Sequence, residues 1–157
     1  MPITYHKGDL FESGADILVN PVNCVGVMGT GLALQFKKRF PRMFRDYKEL
    51  CASRALTLSN VSLVSDSSKS GPVKIFLFPT KGHWRDSSSL DRIEDSLMVL
   101  RYHLRSRHNR GYSIAIPQIG CGLGGLKWTE VRPLIEKHLG NLSNNVLVYG
   151  PAPAVKG

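Results

Sequence analysis

Three stretches of the chain join residues able to do chemistry to backbone able to bend around a ligand: NPVNCVGVMGTG (residues 20–31), PTKGHWR (79–85) and PQIGCGLGGLKW (117–128). The first and third are rich in glycine, which lets backbone approach a bound group closely. Each runs into a helix-like pattern. N–H groups freed at a helix N-terminus, with the helix dipole behind them, suit a phosphate or diphosphate. Neither stretch is a P-loop, because no G-x-x-x-x-G-K-[ST] occurs, and GTGLAL lacks the third glycine and the downstream acidic residue of a dinucleotide fingerprint. Asn20 and Asn23 either offer amides to a ligand or satisfy the loop's own backbone. The middle stretch places Lys81 beside His83, Trp84 and Arg85. A lysine can stabilise or protonate a leaving group as the ammonium, or attack an electrophilic carbon as the amine; most lysines are simply surface residues. The aromatic and guanidinium planes could stack on unpaired bases, or Trp84 could pack in the core and leave Arg85 as a surface charge. Cys24, Cys51 and Cys121 are an odd count without metal-ligand spacing, which implies no metal site and fits a reducing cytoplasm.

The elements that must position these stretches are short apolar strands at Ile3–His6, Ile17–Val22, Val61–Val64, Val73–Phe78, Ser113–Ile116 and Val146–Tyr149. Helical patterns lie between several of them. They run over Gly31–Phe40, over Pro41–Ser53 with proline in the first turn, over Leu90–His108 with Ile93, Leu97, Leu100 and Leu104 on one face, and over Trp128–Leu139, ended by Gly140. The segment SDSSKSG (65–71) reads as a turn or short loop between two strands. Strands alternating with helices predict an α/β fold with a mixed, largely parallel sheet. In such sheets ligands bind beyond the carboxyl ends of the strands, where all three polar stretches fall.

The 157 residues suit one domain, expected over 1–150, with PAPAVKG (151–157) as a tail or the start of a linker to a further domain. No apolar run approaches membrane-spanning length, and the N-terminus does not read as a secretory signal. A cytoplasmic monomer without a membrane partner is expected. A net charge of +9 favours a polyanionic partner, either nucleic acid or a phosphate-bearing ligand.

HKGDLFE (6–12), LVNPVNCVGVMGTGLALQFKKRFP (18–41) and IPQIGCGLGGLKW (116–128), in that order, resemble the macrodomain, the ADP-ribose-binding fold, over almost the whole chain. That resemblance implies a three-layer α/β/α architecture. Within the family, FPTKGHWR (78–85) is similar to the DNA ADP-ribosyl glycohydrolases of the DarG antitoxin branch. The resemblance implies that Asp9 accepts a hydrogen bond from the adenine amino group, although alone it reads as a cap after a strand. Leu10 would offer its backbone near the base, and Tyr149 would lie beside the adenine or in the core. Asn20 and Asn23 would approach the distal ribose. Val27 to Leu32, with Gly29, Thr30 and Gly31, and Ile119 to Gly124, with Gly120, Cys121, Gly122 and Leu123, would clamp diphosphate and distal ribose from two sides. Val22, Ala33, Thr80 and Gln118 would belong to the same ADP-ribose site. Lys81 would sit near the distal ribose, catalytic as acid or nucleophile. His83, Trp84 and Arg85 would contact single-stranded DNA. No acidic pair of the kind common in glycoside hydrolysis lies in the three stretches, since Glu12, Asp16 and Asp86 sit elsewhere. The protein-directed branch carries an aspartate after G-C-G-L where this chain has Gly124. The implied activity is removal of ADP-ribose from thymidine in single-stranded DNA, reversing a DarT-type toxin, with no cofactor beyond ADP-ribose as substrate moiety and product. Removal from glutamate or aspartate, or ADP-ribose reading without chemistry, are the alternatives.

Overall fold

The computed structural model describes residues 3–58 and 60–150. Six strands form one sheet in the order β1-β6-β5-β2-β4-β3. They are β1 (Ile3–His6), β2 (Ile17–Val22), β3 (Ser62–Ser68), β4 (Gly71–Pro79), β5 (Ile114–Pro117) and β6 (Val146–Tyr149). All neighbouring pairs are parallel except β3 with β4. The helices are α1 (Gly31–Arg39), α2 (Pro41–Ala52), α3 (Leu90–Arg105) and α4 (Trp128–Leu139). A single 3-10 turn, Leu10–Glu12, follows β1.

Alternation along the strands builds two cores. Ile17 and Val19 of β2, Phe76 and Phe78 of β4, and Ile114 and Ile116 of β5 pack with Ile93, Leu97, Leu100 and Leu104 of α3 and with Val131, Ile135 and Leu139 of α4. Leu18, Val22, Ile75, Leu77 and Ala115 face the other way, against Phe36, Phe40, Met43 and Tyr47 from α1, α2 and their junction. The result is the expected three-layer α/β/α arrangement. Each fully buried aliphatic side chain stabilises the fold by about 1.5–3 kcal/mol. Among the described residues, no helix is long and apolar enough to cross a membrane.

The two largest departures from the sequence expectation are at the ends of β3 and α3. The polar SDSSKSG segment is not mainly a loop, because β3 runs on through Ser68 and pairs to Gly71. An edge strand facing water can be polar, which blunts its tendency to pair with other chains and hides its apolar signature. The helix read to His108 ends at Arg105. The Asn109 amide donates to the His103 carbonyl at 2.9 Å and supplies that carbonyl with a partner outside the helix.

β3 also completes α2. Phe40 precedes that helix and has no side-chain oxygen for a cap. The Asp66 carboxylate on β3 instead accepts the Met43 N–H at 2.9 Å. Replacing Asp66 by Ala is expected to lower unfolding stability by about 1 kcal/mol, as for a lost helix cap, read as a shift of the urea midpoint at constant m-value.

Candidate active site

The five parallel strands end on one edge of the sheet, so the segments after β1, β6, β5, β2 and β4 all open on the same side. The three polar stretches meet there and are joined by main-chain hydrogen bonds. The β2–β4 register continues past both strands: Thr80 N–H donates to the Val22 carbonyl at 3.0 Å and Cys24 N–H to the Gly82 carbonyl at 2.8 Å. Lys81 lies between these two ties, partly exposed. Farther along, Ser88 N–H donates to the Gly124 carbonyl at 3.1 Å. The segment after β4 therefore brackets both glycine loops.

The loop after β2 is shaped by Asn23. Its amide donates to the Val27 carbonyl at 2.8 Å, and its oxygen accepts Val25 N–H at 3.1 Å. Tyr47 of α2 donates to the same oxygen at 2.6 Å. Asn23 thus satisfies the loop's own backbone, as buried polar groups with partners in reach do. Asn20, also expected beside the distal ribose, is 0% exposed. It shares the inner face of β2 with Leu18 and Val22 and directs its amide to the sulfurs of Met28 and Met43, at 3.8 and 3.7 Å. Val22, Thr80 and Ile119 are buried as well, and the N–H groups of Thr80 and Ile119 are committed to the Val22 and Pro117 carbonyls. Tyr47 was not singled out from the sequence; its apolar spacing on α2 carries no sign of the hydroxyl's role.

The same loop ends at the N-terminus of α1. Gly31 opens the helix with φ +59°, a conformation that favours glycine. Thr30 precedes it, but its side chain makes no capping bond, and the first turn holds no acidic residue. The N–H groups of Gly31, Leu32 and Ala33 lie in that first turn, where intrahelical acceptors are missing and an anion is favoured. Val27 and Gly29 of the same loop are exposed.

Opposite, the loop after β5 is anchored by buried Ile119 and folds on itself: Cys121 N–H donates to Gln118, Leu126 N–H to Gly120 and Gly125 N–H to Gly122. Gly122 and Leu123 are at its exposed tip. A Cβ on Gly124 would lie 2.5 Å from the Gly120 carbonyl oxygen and 2.6 Å from Ser88 Oγ. This backbone path admits no side chain there. Gln118 lines a pocket of about 200 Å³ together with Tyr5, His6, Lys7, Trp128 and Arg132.

At the β1 end, Asp9 does act as a cap, accepting Phe11 N–H at 2.9 Å through one oxygen. Its other oxygen lies 3.7 Å from the Arg39 guanidinium at the partly exposed surface. Leu10 is buried beneath this turn. Tyr149 is half-buried and stacks on His6, with centroids 5.1 Å apart. At the β4 end, Trp84 is 47% exposed, with Arg85 4.7 Å from its ring centroid and His83 at 5.0 Å; the core alternative for Trp84 is excluded. Asp86, placed elsewhere on sequence grounds, in fact folds back within this segment and accepts His83 N–H at 2.9 Å.

Burial, reinforced by Cys51, pushes the Cys24 thiol up to about 11. Burial likewise raises Tyr47, Cys51 and Cys121. The three thiols are therefore not thiolates near neutrality, which weighs against a cysteine nucleophile at the cleft. Among the described residues, no group of three or more His, Cys, Asp or Glu side chains could hold a metal ion.

Comparison with known proteins gives a consistent answer. The Macro domain family pattern matches residues 19–135. The chain is 40% identical to a Mycobacterium tuberculosis DNA ADP-ribosyl glycohydrolase over 96% of its own length and 42% of that protein's. It thus spans about two-fifths of the length of the curated relatives it matches. Its fold superposes on the macrodomain of M. tuberculosis DarG with a TM-score of 0.89 at 39% identity, covering 96% of this chain and 98% of the other. It superposes on Thermosipho africanus DarTG in complex with ADP-ribose with a TM-score of 0.88 at 33% identity, covering 95% and 41%.

Gly124→Asp is expected to displace the second loop and cost about 1–3 kcal/mol as overpacking, with a fall in ADP-ribose affinity by calorimetry. Alkaline stability should follow the raised thiol and phenol. The unfolded chain loses these protons first, so stability falls as pH rises from about 9 toward the Cys24 value of about 11. A melting series over that range should show the decline, and Cys24→Ala should flatten part of it.

Proposed function

The chain belongs to the macrodomain family, and on that premise we propose that it hydrolyses the N-glycosidic bond between ADP-ribose and thymidine in single-stranded DNA, reversing the action of a DarT-type toxin. The observation that carries this reading is the position of Lys81, held between two main-chain ties to the first glycine loop. Asp9 receives the adenine, and the loops after β2 and β5 take the diphosphate and distal ribose on their N–H groups. The distal anomeric carbon then lies toward Lys81. As the ammonium, Lys81 would assist departure of the base. As the amine, it would attack the anomeric carbon, the thymine would leave with the bonding electrons and take up a proton, and water would release ADP-ribose from the sugar–amine linkage. The exposed Trp84–Arg85 pair beside Lys81 suits a base and phosphate next to the modified nucleotide. The DNA ADP-ribosyl glycohydrolases and the DarTG–ADP-ribose complex among its relatives support the same reading.

The protein-directed alternative needs a carboxylate at position 124, where the packing around Gly124 has no room for one. A pure reader would not need Lys81. The test sets the protein and its Lys81→Ala variant against a single-stranded oligonucleotide carrying ADP-ribosyl-thymidine and a peptide carrying glutamate-linked ADP-ribose. Release from DNA alone, reduced at least about a hundredfold in the variant, is expected. Release from the peptide alone refutes the proposal, and ADP-ribose binding without any release assigns the protein as a reader. Borohydride capture of a Lys81–sugar adduct by mass spectrometry selects the nucleophile role.

A further inference from the structure

The opposite edge of the sheet carries a feature that ADP-ribose recognition leaves unused. Between Asp95 and Glu130 the chain has no carboxylate, yet it places Arg101, Arg105, Arg107 and Arg110 within ten residues. Arg101 and Arg105 lie in the last turns of α3, and Arg107 and Arg110 in the bend that leads into β5. Arg101 donates to the His138 carbonyl at 3.1 Å and belongs to the packing. Arg105, Arg107 and Arg110 are exposed and have no ion pair among the described residues. Tyr102 is 77% exposed and Tyr112 37% exposed on either side of them. Lys74 lies 4.6 Å from the Tyr112 ring centroid.

This bend is tied by side-chain hydrogen bonds. Asn109 is buried and donates to the His103 carbonyl at 2.9 Å and to Ser106 Oγ at 3.2 Å, while its own oxygen accepts Lys74 Nζ at 3.3 Å. Buried Asn144 donates to the carbonyls of Asn109 and Tyr112 at 3.0 and 2.8 Å. Nearby, the Asp16 carboxylate is turned to Ser113, accepting from its N–H and hydroxyl at 2.9 and 3.1 Å. Two buried amides thus fix a turn whose outward side chains are arginine, histidine and arginine between two tyrosines.

We infer that this edge is a second nucleic-acid site, at which Arg105, Arg107 and Arg110 pair with the phosphates of single-stranded DNA and Tyr102 and Tyr112 stack on its unpaired bases. The combination of unpaired guanidiniums and exposed rings is the chemistry of a single-strand platform. The choice of DNA as the strand rests on the glycohydrolase reading above. α3 begins beside the bracketing segment and ends at this patch, so its 16 residues separate the two sites by about 24 Å. Asp91 and Asp95 are exposed on the first half of α3 and repel phosphate. A strand that engages both sites passes beside that face, and only a long one reaches both.

The probe is a fluorescently labelled, unmodified oligothymidylate, long enough to span both sites, measured by anisotropy over a salt series. The triple variant Arg105→Ala/Arg107→Ala/Arg110→Ala is expected to bind about tenfold or more weakly and to lower the slope of log affinity on log salt by about 2, at about 0.7 per phosphate contact. The corresponding Arg→Lys triple variant should regain most of the slope. Tyr102→Ala should weaken binding about fivefold or more at an unchanged slope. A melting curve like the parent's establishes that each variant is folded. Unchanged affinity and slope in the alanine variant overturn the site, as does a parent that binds no strand. Equal binding of duplex overturns the single-strand assignment, and tighter binding of the matching RNA overturns the DNA assignment. Because the probe carries no ADP-ribose, its binding is read independently of catalysis: arginine-dependent binding here, with no release from the ADP-ribosyl-thymidine oligonucleotide in the separate assay, would retain this site and remove the glycohydrolase reading.

Discussion

Everything at the carboxyl edge depends on two hydrogen bonds that extend the β2–β4 pairing beyond the sheet: Thr80 to Val22 and Cys24 to Gly82. Strand pairing fixes register to a single residue, because a one-residue slip would turn every buried side chain of β4 to the wrong face. Phe76 and Phe78 pack on one side and Ile75 and Leu77 on the other, so the slip would reverse both cores at once. The height of Lys81 above the sheet is therefore set by hydrophobic burial several residues away. A loop tied down only by its own turns would not inherit that accuracy. The Ser88–Gly124 bond passes the same constraint to the loop after β5.

The sequence made the sheet and the cleft legible to different degrees. Strands and helices with apolar periodicity were readable because burial writes the period directly into residue type: β1, β2, β6 and α4 coincide with their expected ranges. β3 was only half visible, since an edge strand in water need not alternate. For the polar residues the limit is different in kind. Asn20 and Asn23 have the right chemistry for a ligand, but amides serve loops as readily as sugars; Asn23 bonds to Val25 and Val27 and Asn20 faces the sulfurs of Met28 and Met43, contacts that residue type alone does not reveal. Asp86 was misplaced because an aspartate folding back on a neighbouring N–H leaves no periodic trace. Tyr47 was hidden for the converse reason, as a residue that fits the apolar stripe while its hydroxyl orders a loop.

Gly124 links local packing to choice of chemistry. The contacts that forbid a side chain there come from Gly120 and Ser88, one in the same loop and the other in the segment that carries Lys81. A carboxylate at 124 would push this bracket and the loop after β5 out of place. On the proposed reading, the lysine-centred cleft and the missing aspartate are one structural solution and not two independent differences.

The order of the strands has a further consequence. Asp9 follows β1 and Lys81 follows β4, with β6, β5 and β2 between, so the two ends are four strand spacings apart, about 19 Å. If adenine is held at one end and the bond is broken at the other, the cleft measures its ligand. A mononucleotide, or a nucleotide ending at the second phosphate, would satisfy the first part of the edge and stop short of the lysine. Selection would then come from molecular length as much as from any single contact, and the gauge would be the spacing of the sheet itself.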